Sequence, residues 1–141
     1  MQLILASKSY DRKRILKRLD IPFISIPSKF DENSVNLIDP KRKVKEIAYQ
    51  KAKIVKNIWL TKYSHPKDQE AVIIAADTMG YYGGNLYGKP ADKREAFDII
   101  KKLVGKEHLV YTGVSILHSH SNHTKNFLSE SIVHFQMLTD Q

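Results

Sequence analysis

The chain has 141 residues, 42% of them apolar, which allows one domain with a real core and excludes a disordered chain. It has no cysteine, so disulfides and thiolate metal sites are excluded and a reducing, cytoplasmic setting is expected; no apolar run approaches the roughly 20 residues of a bilayer span, and no secretion signal opens the chain. A formal charge of +8 implies attraction to nucleotides, nucleic acid or acidic lipid, or a merely solvated basic surface.

Residues 2–6 read as a buried strand. Ser9 is placed to cap a helix over about 10–19, with Ile15, Leu16 and Leu19 on one face. The turn between them sets Ser7, Ser9 and Arg12 at a helix start, where free N–H groups and the positive dipole end suit a phosphate chain. A capping serine and a surface arginine are the plainer explanation. Residues 22–26 form a second predicted strand, ended by Pro27 and followed by a polar loop with Asp31-Glu32-Asn33.

Asp39-Pro40 is a strong helix start. Val44, Ile47, Ala48, Lys51, Ala52, Val55 and Trp59 keep helical spacing, which predicts a long helix over about 40–60. Residues 63–70 read as a linker. Ala71 to Ala76 is apolar throughout, as in a central strand covered on both faces, and it ends in Asp77-Thr78. Gly83-Gly84-Asn85 reads as a tight turn between short strands at 79–82 and 85–87. Asp92 with Glu95 resembles a capping box, for a helix ending before Gly105. Residues 107–117 and 127–138 alternate as strands, joined by a polar loop over 118–125. The fold class is α/β.

Asp77 is the sharpest candidate, because open α/β sheets present functional groups at the ends of buried strands; its plainer role is to cap a turn. Glu32 is either a solvated loop residue or, with Asp77, an oxygen ligand for a hard divalent cation. Lys51 lies among apolar neighbours, so it either snorkels outward or faces an anion in a cleft. Lys89 stands between Gly88 and Pro90, a stiff mount for an ammonium or simply a turn. His118, His120 and His123 read as a solvated connection rather than a metal site. Gly83-Gly84 lacks the context of a phosphate loop, and no RNA-recognition signature accompanies the tyrosines and basic residues.

Taken in order, these pieces resemble the Maf family of nucleotide pyrophosphatases. The matching segments are Leu5-Ala6-Ser7-x-Ser9 with Arg12, Asp31-Glu32, Lys51-Ala52, Ala76-Asp77-Thr78, Gly88-Lys89-Pro90 and Lys106-x-His108-x-Val110-x-Thr112-Gly113. The resemblance implies a fold related to that of the inosine triphosphatases, a mixed elongated sheet with flanking helices and two lobes around a cleft. It implies hydrolysis of a nucleoside triphosphate, dTTP, UTP or a modified nucleotide, to the monophosphate and pyrophosphate, assisted by Mg or Mn. It also implies a house-cleaning role and the family's link to septum formation. Asp77 would be the catalytic base, Lys51 and Lys89 the two site lysines, and Ser7, Ser9, Arg12 and Thr78 the substrate-binding positions. Glu32 and Asp77 would hold the metal.

Two departures are visible. The family's Ser-Pro-Arg-Arg, or Ser-Pro-Trp-Arg in one subgroup, is Ser9-Tyr10-Asp11-Arg12 here, which puts a negative charge near the expected phosphate site. Asp77-Thr78 resembles the dTTP/UTP subgroup, whereas a single arginine resembles the subgroup acting on 7-methyl-GTP. A later family segment with Asp-Lys-Ala-Gly and Gln-Gly has no counterpart, so one C-terminally short domain over 1–141 is expected, with an uncovered sheet edge open to a second copy. The alternatives are a catalytically impaired nucleotide-binding or cell-division regulatory relative, and a basic nucleic-acid-binding module. No membrane partner is expected.

Overall fold

The computed structural model describes residues 1–62 and 69–138. In chain order the elements are β1 (Gln2–Leu5), α1 (Tyr10–Arg18), β2 (Ile24–Ser25), a 3-10 turn (Glu32–Ser34), α2 (Pro40–Lys62), β3 (Ala71–Tyr82), β4 (Asn85–Tyr87), α3 (Lys93–Leu103), β5 (Glu107–His118) and β6 (Thr124–His134). They build one mixed sheet in the order β2-β1-β3-β5-β6, with β4 also on β3. β1 runs parallel to β2 and β3, while β3–β4, β3–β5 and β5–β6 are antiparallel. The expected α/β class is what is seen.

The helix starts follow local chemistry. Asp39 Oδ1 accepts from the Arg42 N–H at 2.9 Å, and Pro40, which has no N–H to leave unpaired, opens α2. Asp92 Oδ1 accepts from the Glu95 N–H at 2.8 Å, and the Glu95 carboxylate reaches back to the Ala91 N–H at 2.5 Å. Gly105, just past α3, takes φ +69°, the left-handed conformation that ends helices.

The apolar stripe of α2 sets the core. Val44, Ile47, Ala48, Ala52, Val55 and Trp59 are buried, and Ala52, Val55 and Trp59 share one core cluster with Ala71, Ile73 and Ala75 of β3 and Leu117 of β5. Burial alternates along β3 and β5, as it must when one face of a pleated sheet meets a helix. By contrast α1 buries no residue and α3 buries only Leu103.

Helix and sheet come close together at Gly113. A Cβ there would run into the backbone of Val44 and Lys45. Gly113→Ala should therefore force α2 outward and cost about 1–3 kcal/mol, the usual effect of overpacking a close contact. Urea denaturation checks this; an unchanged midpoint would mean that the helix is free to shift.

Several predicted boundaries need correcting. Asp77 does not end a strand: β3 is continuous for 12 residues, because the ladder with β5 runs unbroken from Val72↔His118 to Tyr81↔Leu109. β6 starts at Thr124 and stops at His134, so the polar connection is shorter than 118–125. Residues 135–138 are not strand; the Phe135 N–H bonds to the Lys106 carbonyl at 3.1 Å and its ring packs edge-on to His108. β2 is two residues rather than 22–26. Most of the linker read over 63–70 lies outside the described residues.

Candidate active site

β3 has two neighbours along one of its edges. β1 pairs with it as far as Leu5↔Ile74, and the Ala6 N–H adds a bond to the Ile74 carbonyl at 2.8 Å. β4 begins only at Gly80↔Tyr87. Among the described residues, 75–79 have no strand on that side. The chain leaving β1 turns into α1 beside this gap, and Arg12 reaches across it to Thr78; Asp77, one residue earlier, points to the opposite face of the strand, toward Lys51 of α2. A crevice beyond the end of a parallel strand is where α/β sheets bind ligands.

The turn is held by its own hydroxyls. Ser7 Oγ accepts from the Ser9 N–H at 3.1 Å, and the Ser7 carbonyl accepts from Ser25 Oγ at 2.6 Å, tying the turn to β2. Ser9 Oγ caps α1 through the Arg12 N–H at 3.5 Å. The Arg12 guanidinium then spans the gap, donating to Ser7 Oγ at 3.5 Å and to Thr78 Oγ1 at 3.4 Å. Asp11 does not line the crevice; it pairs with Arg14 at 3.4 Å on the exposed side of α1. In a helix's first turn its charge also favours the dipole.

Below the turn, α2 delivers Lys51. Its Nζ lies 2.9 Å from Asp77 Oδ1 and 2.5 Å from Glu32 Oε1. Of the two fates open to this lysine, burial opposite an anion is the one realised. Asp31 caps the 3-10 turn through the Asn33 N–H at 3.0 Å, which leaves Glu32 to reach inward. Asp77 is only 4% exposed, and its Oδ2 has no hydrogen-bond partner among the described residues. Burial pushes its carboxyl above the ordinary carboxylate range, although the Lys51 ammonium opposes the shift.

A cleft of about 220 Å³ is lined by Ser7, Ser9, Arg12, Glu32, Lys51 and Lys89. Lys89 itself is exposed. Asp77 and Thr78 are not among the cleft's lining residues; each bonds to one that is, Asp77 to Lys51 and Thr78 to Arg12. Of the sequence-derived candidates, Ser7, Ser9, Arg12, Glu32, Lys51 and Lys89 share the cleft. Two lining residues had no motif to reveal them, Lys29 and Phe30, in the loop before Glu32. Thr112 was also missed: its Oγ1 is 3.0 Å from that of Thr78. Glu32 and Asp77, both bonded to Lys51 Nζ, are the carboxylates of the site that would offer oxygens to a hard divalent cation. They do not form a protein cage, since no group of three or more His, Cys, Asp or Glu positioned for a metal occurs among the described residues. In the histidine loop, His120 Nδ1 lies 2.7 Å from Ser119 Oγ. No helix of the described residues is long and apolar enough to cross a membrane.

Comparison with known proteins places this geometry. A family model described as Maf-like protein matches residues 2–141. A dTTP/UTP pyrophosphatase of Clostridium beijerinckii is 40% identical over 99% of this chain and 71% of its own length. One from Carboxydothermus hydrogenoformans is 37% identical over 100% of this chain and 70% of its own length. One from Caldanaerobacter subterraneus is 38% identical over 83% of this chain and 52% of its own length. The chain thus spans between about half and about seven tenths of these relatives. The Staphylococcus aureus Ham1 protein shares the fold, with a TM-score of 0.54 at 14% identity, over 95% of this chain and 71% of that one. Matched along almost its whole length, the chain belongs to the Maf-like protein family.

Proposed function

We propose that this protein is a nucleoside triphosphate pyrophosphatase, with dTTP or UTP as substrate, as the names of its relatives suggest. The observation that carries this reading is Asp77: a buried carboxylate at a basic crevice, one oxygen held by Lys51 and the other free. In this reading the triphosphate lies across the crevice with its α-phosphorus near Asp77. A water oxygen bonds to that phosphorus, its proton passes to Asp77, and the α–β bridging P–O bond breaks to release pyrophosphate. Arg12 and Lys89 offset charge on the phosphate oxygens, and Lys51 fixes the face that Asp77 presents. Glu32 and Asp77 would hold a Mg²⁺ or Mn²⁺, which would supply further charge neutralisation. A cytoplasmic enzyme is the accompanying reading.

A panel of pyrimidine, purine and modified triphosphates, assayed for pyrophosphate with Mg²⁺ or Mn²⁺, tests the activity. No turnover by a folded sample would sink it. The pH profile tests the base. Asp77 must be ionised to accept a proton, and its carboxyl sits above the ordinary range. Activity should therefore fall as pH drops through a value higher than the usual carboxylate figure of about 4. An acid limb at or below that figure would argue against Asp77.

A further inference from the structure

We infer that Thr112 of β5 is a positioning residue for Arg12, aiming its guanidinium into the crevice by way of Thr78. The phosphate-binding part of this inference rests on the function proposed above. Thr78 and Thr112 are directly opposed in the β3–β5 register, one step from the Asp77↔Gly113 pair. Their hydroxyl oxygens are 3.0 Å apart, and Arg12 Nη2 is 3.4 Å from the Thr78 oxygen.

A guanidinium has donors only, so Thr78 Oγ1 must accept from Arg12. A hydroxyl has one proton and two lone pairs, so toward Thr112 Oγ1 it either donates its proton or accepts on its second lone pair. In both arrangements the bond to Thr112 holds the Thr78 hydroxyl with a lone pair turned toward the arginine. The other anchor of Arg12 cannot substitute. Ser7 Oγ is 3.5 Å away, already accepts from the Ser9 N–H, and belongs to the same turn as Arg12. Both arginine contacts are long, so neither alone fixes the group. Of the two, only the Thr78 contact registers the phosphate-binding turn against the strand that carries Asp77.

The test compares Thr112→Val, which keeps the shape and loses the hydroxyl, with Thr112→Ser, which keeps it. Arginine side-chain NMR of the free protein should show a loosened Arg12 guanidinium in Thr112→Val and a restored one in Thr112→Ser. Binding of inorganic tripolyphosphate should weaken about three- to tenfold in Thr112→Val, the size of one hydrogen bond, and recover in Thr112→Ser. In an Arg12→Ala background, Thr112→Val should weaken binding no further, because the group it positions is gone. Should Thr112→Val fail to fold, Thr112→Ala carries the same expectations. An Arg12 signal unchanged by loss of the Thr112 hydroxyl overturns the inference. So does an equal loss of binding with and without Arg12. If Arg12 loosens but the wild-type chain does not bind tripolyphosphate, the positioning role stands and the phosphate reading falls.

Discussion

The Asp77→Asn variant is expected to release pyrophosphate about 10²–10⁴ times more slowly than wild type while remaining folded. The change keeps the shape and the oxygen that accepts from Lys51 at 2.9 Å, but removes the basicity. The loss should appear in kcat with KM little changed, because proton transfer matters only in the transition state. Stability should hold or rise at neutral pH. Burial raises the carboxyl of Asp77, so the folded state resists its ionisation, and the neutral amide escapes that cost. Steady-state kinetics and thermal unfolding decide the matter together. A kcat within about tenfold of wild type would mean that another group takes the proton.

Lys51→Met should be the most destabilising single change in the site. The Lys51 and Asp77 side chains are 11% and 6% exposed, so removing the ammonium leaves a buried carboxylate without its counter-charge. Asp77 can respond by staying protonated. Holding a carboxyl of ordinary pKa near 3.9 neutral at pH 7 costs about 4 kcal/mol, at roughly 1.4 kcal/mol per unit. Wild type already bears part of that cost in its raised carboxyl, so the expected deficit at neutral pH is smaller, about 2–3 kcal/mol. The unfolded states are alike and cancel. The deficit therefore opens as pH rises through the raised carboxyl range of folded wild-type Asp77 and fades below it, where both folded proteins hold the proton. Glu32 adds little to this cost, because its side chain is 47% exposed. Urea unfolding between acid and neutral pH measures the effect, and a deficit independent of pH would rule out this origin.

The sequence revealed elements whose signals are local. α2 was legible from Asp39-Pro40 and its apolar spacing, and α3 from Asp92, Glu95 and Gly105. β3 was legible as two pieces, 71–76 and 79–82, with a break placed at Asp77-Thr78 that the strand does not have. A polar pair after an apolar run looks like an ending, and the partner that carries the strand onward, β5, lies far along the chain. Lys51 shows the same limit. Its spacing put it on the buried face of α2, but whether it would snorkel or pair depended on Glu32 and Asp77, on two other segments. Six motifs in family order resolved what no single residue could. What they could not supply was direction. Asp11 pairs with Arg14 and does not line the crevice, and the Thr112 hydroxyl pairs with that of Thr78; both are side-chain choices made by neighbours in space.

The shared edge of β3 has a mechanical consequence. Along one side the strand is clamped by β5 over nearly its full length; along the other, two short neighbours grip its ends and, among the described residues, leave 75–79 without a strand. The carboxylate proposed to react therefore rides on a strand braced along one edge, while the opening lies along the other. If the proposed reaction holds, support and access come from opposite sides of a single strand, with no moving lid invoked.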